Sequence, residues 1–192
     1  MSGGWIPNVH LYSQAHGDIQ YDSTLHAYVP VIGSRPVYAV GGAAGLLLHD
    51  DIERQAIEMG RRAAHSARGN ATDVQPPDAS EIRKRPRSVI GPTSFPGRAH
   101  RQWLDFQHDV TVADCGAAVE QGYVHVEYFK RYTTTGMAVD QGKTSQRNSL
   151  DQLALLTHRT LHDLKPPTYR PPYTPLPMTV AAGGSRSTVI RL

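Results

Sequence analysis

Apolar residues along this chain fall into two patterned stretches separated by one with no period. In the first stretch, Trp5 to Leu11 and Tyr28 to Ile32 are short mixed runs compatible with strands. Val37-Tyr-Ala-Val40, rich in β-formers and bounded by Pro36 and Gly41, has the pattern of a buried strand. Gly41-Gly-Ala-Ala-Gly45 then leads into a segment where Ile52, Ala56, Met59 and Ala63 recur at helical spacing. Strand, glycine turn and helix in that order bring a helix N-terminus toward a dinucleotide phosphate, which makes Gly41, Gly42 and Gly45 candidate cofactor contacts. The spacing is not Gly-x-Gly-x-x-Gly and no complete strand–helix–strand unit precedes it, so a plain tight turn accounts for these glycines better.

The second patterned stretch begins near Trp103. Thr111 followed by Asp114 is a capping-box start, the shorter aspartate standing in for glutamate. Val112, Cys115, Ala118 and Val119 form an apolar stripe that Gly122 is placed to end. A short helix fits His125 to Arg131, and a polar loop, Thr133 to Ser145, follows. A last helix holds Leu150, Leu153, Ala154 and Leu161, its start lying between Gly142 and Ser149, with Ser149 and Gln152 offering a cap. Between the two stretches, residues 66–102 carry Pro76-Pro77, Gly91-Pro92 and Pro96-Gly97 without periodicity and read as a linker. From Lys165 onward the prolines predict an extended tail that packs no core of its own.

Composition narrows the class. The chain has 192 residues, 14 prolines and 17 glycines, so much of it is loop. The net charge of +3 is mild, and the basic residues gather in Arg83-Lys84-Arg85-Pro86-Arg87, a solvated linker tract more than a nucleic-acid surface. A single cysteine, Cys115, excludes an internal disulfide framework and an all-cysteine metal centre. No apolar run is long enough to cross a bilayer and no signal pattern opens the chain, so the expected location is the cytoplasm.

The polar loop carries the densest chemistry. Lys130, Arg131, Thr133, Thr134, Gln141, Lys143, Thr144 and Ser145, with the Gly142 amide, offer ammonium, guanidinium, hydroxyl and amide donors of the kind that bind phosphate oxygens. Gly142-Lys143-Thr144 resembles the end of a Walker loop, but Gly136 stands one residue too far upstream and no buried strand precedes it. A solvated loop with ordinary capping residues is the alternative. His158 and His162 lie four apart without a third ligand and read as helix-end histidines, and Cys115 reads as a core residue. No catalytic acid–base pair and no metal site emerges from the spacing.

These residues resemble a known family. Asp105-Phe-Gln-His-Asp-Val-Thr111, Tyr128-Phe-Lys-Arg-Tyr-Thr-Thr134, Gly136 through Ser145 and Arg170-Pro-Pro-Tyr-Thr-Pro175 are similar, in order, to the middle of the alpha subunit of heterotetrameric sarcosine oxidase. Ser2-Gly-Gly-Trp-Ile-Pro7, His10-Leu11 and Tyr38 through Gly45 resemble the preceding part of that subunit. The resemblance implies an α+β, fragmentary chain. Residues 1–65 would be the C-terminal piece of a disulfide-reductase-type α/β nucleotide-binding domain, and 66–102 a linker. Residues 103–164 would be a small helical module like bacterioferritin-associated ferredoxin, and 165–192 an extended stub of a folate-binding domain. In that module the cysteine positions fall at Asp105, Gln107, Asp140 and Ser145, so no iron–sulfur cluster is expected.

The resemblance further implies oxidoreductase function in amine oxidation and one-carbon metabolism. A beta-type flavoprotein subunit would oxidise sarcosine, other small subunits would complete the heteromer, and FMN would be held between subunits, with NAD on the nucleotide domain. Met1 would begin inside a domain, which implies a fragment, a split subunit or a decayed reading frame, inactive alone. A non-catalytic interaction module, a remnant, or part of a related secondary-amine or imino-acid dehydrogenase are the alternatives.

Overall fold

The computed structural model describes residues 6–31, 36–68 and 98–183. Helix α1 (His10–Gln14) precedes a hairpin of β1 (Ile19–Asp22) and β2 (Ala27–Pro30), paired antiparallel from Ile19 opposite Pro30 to Asp22 opposite Ala27. The Asp22 carboxylate accepts from the amides of Thr24 and Leu25, which fixes the turn that joins the strands. The strand expected from Trp5 to Leu11 is instead helical from His10, its first residue lying outside the described part of the chain. Val37–Val40 forms no regular element and joins no ladder among the described residues, with Val40 itself extended. Gly41–Ala44 then forms one 3-10 turn, and α2 (His49–Ala67) follows after a break. Among the described residues the two sheets are separate two-stranded antiparallel ribbons.

The second half follows the predicted pattern more closely. Strand β3 (Trp103–Asp105) pairs with β4 (Val110–Thr111) across a bulge, a ribbon too short to leave a periodic signal. Helix α3 (Val112–Glu120) opens with the full capping box: the Thr111 hydroxyl accepts the Asp114 amide while the Asp114 carboxylate accepts the Thr111 amide at 2.8 Å. Gly122, at φ +87°, closes that helix. Helix α4 (Val126–Thr133) is capped by His125, whose ring accepts the Glu127 amide. Helix α5 (Gln146–Thr157) begins at Ser145, so Ser149 and Gln152 are buried in its body and do not cap it. It ends four residues before Leu161, which lies in a separate 3-10 turn, Leu161–Asp163. His158 therefore sits at the helix end and His162 beyond it, against the Tyr21 ring, and the two share no helix face.

The core collects Val110, Cys115, Phe129, Leu150, Leu153 and Leu164 between α3, α4 and α5. Complete burial of a side chain such as Phe129 or Leu153 stabilises by about 1.5–3 kcal/mol each. Cys115 is fully buried, and burial, with Asp114 beside it, pushes its thiol up to about 12, as suits a small apolar core residue. The hairpin packs on this same core. Tyr28 touches it, and its hydroxyl reaches the carbonyls of Leu161 and Leu164 at 3.0 and 2.9 Å. Arg147 of α5 pairs with Asp151 and donates to the Tyr21 hydroxyl and the His26 carbonyl.

The tail also packs. Residues 165–173 run back over the module and touch α1, α5 and the loop before α5, ahead of a short helix α6 (Met178–Ala181). Proline makes this run extended, and aromatic rings in it supply the contact area that the composition alone does not suggest.

Candidate functional site

The four positions expected to replace cluster cysteines meet in space. Asp105, at the end of β3, is 2% exposed and accepts four hydrogen bonds. Its Oδ1 takes the amides of Gln107 and His108 at 2.9 and 3.2 Å; its Oδ2 takes the Gly136 amide at 2.8 Å and the Ser145 hydroxyl at 3.1 Å. Gln107 receives the Asp140 amide at 3.5 Å. Asp140 in turn accepts from the Gly142 amide and from the amide and hydroxyl of Thr144. Burial pushes the Asp105 carboxyl up, but three backbone amides and the Ser145 hydroxyl outweigh it and hold the group below its usual range. A carboxylate and its donors thus tie the two loops together at these positions.

This network consumes much of the loop's donor capacity. Ser145 donates to Asp105, Thr144 and the Gly142 amide serve Asp140, and the Thr133 hydroxyl donates to the Phe129 carbonyl at 2.8 Å. Thr134 is a left-handed helix cap whose carbonyl accepts from His108. Lys143 donates to the Tyr173 carbonyl at 2.7 Å and lies 4.1 Å from the centre of its ring. Gly142 holds φ +77°, and a Cβ there would stand 2.9 Å from the Gly136 backbone, so only glycine allows the two turns to touch. The loop predicted as a phosphate cradle is therefore folded onto itself and onto the tail.

Lys130 and Arg131 have a different setting. They stand in the last turn of α4 and line a cleft of about 240 Å³, together with Gln141 and, from the tail, Tyr169 and Arg170. Its floor is apolar, formed by Val126, Phe129, Leu150 and Pro167. Arg131 lies 4.0 Å from Glu127, an exposed and screened pair that leaves its guanidinium available. With Glu127 also on its lining, the cleft sets three cations and one carboxylate beside apolar side chains, which suits a partly apolar ligand that carries a negative group.

The tail that completes this cleft is held by aromatic contacts. His10 is buried, its ring 3.8 Å edge-on from Tyr169 and 4.9 Å from Tyr173, and it bonds Asn8. Burial, with Lys143 nearby, lowers its pKa to about 4, so the ring is neutral near pH 7. Tyr169 bonds Gln146 at 2.5 Å, and Asn8 donates to the Tyr173 hydroxyl at 2.8 Å. The sequence assigned no site role to His10, Gln146, Tyr169 or Arg170, although His10 and Arg170 fall within the motifs that carry the resemblance. The available signal was two tyrosines four apart in a proline run, Tyr169 and Tyr173.

Gly41, Gly42 and Gly45 lie elsewhere. The Gly41 amide donates to the buried Gln55 side chain at 2.9 Å, and the Gly45 and Leu46 amides close the turn on Gly42 and Gly41. The helix after them starts at His49, so its N-terminus is not presented by the glycine turn. The tight-turn reading describes this geometry.

Comparisons with known proteins agree with the resemblance. Residues 99–185 match the model of the sarcosine oxidase A3 domain. The chain is 33% identical over 99% of its length to the sarcosine oxidase subunit alpha of Corynebacterium sp. (strain U-96). It is 31% identical over 95% to that of Rhizobium meliloti (strain 1021). It spans 20% and 18% of these two relatives, about a fifth of their length. Among solved structures, the L-proline dehydrogenase of P. horikoshii superposes with a TM-score of 0.71 at 19% identity, covering 92% of this chain and 37% of that one, which establishes a shared fold. Over residues 99–185 the chain thus matches the sarcosine oxidase A3 domain, and along nearly its whole length it is similar to about a fifth of the sarcosine oxidase alpha subunit.

Proposed function

We propose that this chain is part of a heteromeric sarcosine oxidase-type flavoenzyme and helps hold FMN at the face it presents to a beta-type flavoprotein subunit. The observation that carries the reading is the cleft at the end of α4, where Lys130, Arg131 and Arg170 surround an apolar floor. Its volume of about 240 Å³ is below the usual range for an enclosed small-molecule site, as fits a site that a second subunit completes. Lys130, Arg131 and Arg170 would neutralise the phosphate, while Val126 and Leu150 would take the apolar part of the ligand. Lys143, Thr144, Ser145 and Thr133 then serve as the scaffold of the loop. The bound flavin would supply the electron-accepting chemistry, and this chain its position and charge. The oxidised substrate, a secondary amine such as sarcosine, would lie on the partner. We attach no NAD to Gly41, Gly42 and Gly45, since the Gly41 amide is committed to Gln55 and, among the described residues, no paired strand feeds that turn.

The test is co-expression with the partner subunit and measurement of retained flavin. Lys130→Ala with Arg131→Ala should lower FMN retention by roughly tenfold or more, in line with the loss of two charge-assisted contacts. Equal retention in the double variant and the wild type would refute the cleft as the phosphate site. The self-consumed donors of residues 133–145 favour a second reading, a purely structural docking module. An ordered complex with no flavin against this chain would establish that reading instead.

A further inference from the structure

One side chain holds the backbone of the strap over the cleft. Pro166, Pro167, Pro171 and Pro172 leave this run few amide donors, and Gln141 uses the one at Arg170. The Arg170 amide donates to the Gln141 Oε1 at 2.8 Å, while the Gln141 Nε2 donates to the carbonyls of Arg170 and Pro172 at 3.0 and 3.1 Å. Both backbone polar groups of Arg170 are therefore fixed by a single amide, whose donor and acceptor face them like a neighbouring strand. Gln141 itself holds φ +52°, a left-handed conformation that a β-carbon disfavours. A glycine would adopt it more easily, so the side chain stands here at a conformational cost. Both Gln141 and Arg170 line the cleft that Lys130 and Arg131 also line.

We infer that Gln141 is a positioning residue: by holding the Arg170 backbone it sets the guanidinium at the cleft and so makes the site select a phosphorylated ligand over its unphosphorylated form. The inference rests on the flavin-phosphate reading of the cleft. It assigns Gln141 no direct charge contact; its effect passes through Arg170.

The test uses the full chain with its partner subunit, and riboflavin 5′-phosphate and riboflavin as probes. Gln141→Ala should speed hydrogen exchange of the Arg170 amide by roughly tenfold or more, since it loses the acceptor that protects it. It should also weaken riboflavin 5′-phosphate more than riboflavin, as Arg170→Ala should, and the double variant should lose no more selectivity than Arg170→Ala alone. Gln141→Glu keeps the acceptor and loses the donor, so it should retain most of the amide protection. Unchanged Arg170 exchange in Gln141→Ala would overturn the clamp. Equal weakening of both probes, or additive losses of selectivity in the double variant, would overturn the positioning role. A wild-type complex that binds neither probe would defeat the flavin reading, and with it the selectivity role, while the exchange measurement would still decide the clamp.

Discussion

Replacing Asp105 by asparagine preserves shape and removes one acceptor oxygen from a buried site. In the wild type, Oδ1 takes two amides and Oδ2 takes the Gly136 amide and the Ser145 hydroxyl. An asparagine placed with its carbonyl toward Gln107 and His108 turns its NH₂ toward Gly136 and Ser145. The Ser145 hydroxyl can rotate and accept, but the Gly136 amide cannot. The flipped amide is worse, because it faces two backbone donors. One orphaned donor costs about 1–3 kcal/mol, and loss of charge assistance in the remaining bonds adds about 1 kcal/mol, for a total near 3 kcal/mol. With a urea slope of about 1–3 kcal/mol per molar, the midpoint should fall by roughly 1–3 M. Acid should erase the difference. The Asp105 carboxyl is held below its ordinary 3.8, so its contribution is complete above about pH 4 and is lost as pH falls through the lowered value. The gap between wild type and Asp105→Asn should therefore narrow below pH 4. A gap under about 1 kcal/mol at pH 7, or one that does not narrow in acid, would refute the role of this carboxylate.

Three further outcomes follow from the same structure. Gly142→Ala should cost roughly 2–4 kcal/mol by urea unfolding, because it combines a left-handed φ with a Cβ 2.9 Å from the Gly136 backbone. Gly122→Ala, at φ +87° in open space, should cost only about 1 kcal/mol, and equal losses would show that the close approach is not limiting. His10, neutral in the fold at a pKa lowered to about 4 from 6.5, takes up its proton earlier in the unfolded chain, so stability present above pH 6.5 should fall on acidification toward pH 4. The loss should approach about 3 kcal/mol and be flattened in His10→Phe; an NMR titration of His10 near 6.5 would contradict it. Cys115, buried with its thiol pushed up to about 12, should resist a disulfide-exchange reagent at pH 8 until urea unfolds the protein, and rapid labelling of the native chain would show the core to be open there.

Local signals were legible where a few neighbouring residues decide the outcome. Thr111 with Asp114 set the start of α3, Gly122 its end, and the stripe through Cys115 and Ala118 its buried face. The order of motifs from Asp105 to Pro175 likewise carried the resemblance, because each motif is short and contiguous. Strand character at Val37–Val40 was misread because a β-rich tetrapeptide becomes a strand only when a partner offers a ladder, and none does so among the described residues. The candidate site was legible in part: Lys130 and Arg131 reach the cleft, whereas Lys143 and Ser145 are engaged by partners that sequence distance hides, and Thr144 by Asp140 within its own loop. Asp105 and Ser145 are forty residues apart, and His10 meets Tyr169 across most of the chain. The amino-acid order alone determined the helical character of α2, α3, α4 and α5, the capping box of α3 and the buried thiol. Only the tertiary structure decided which donors remain free for a ligand, because a side chain's availability depends on the partners that folding places beside it.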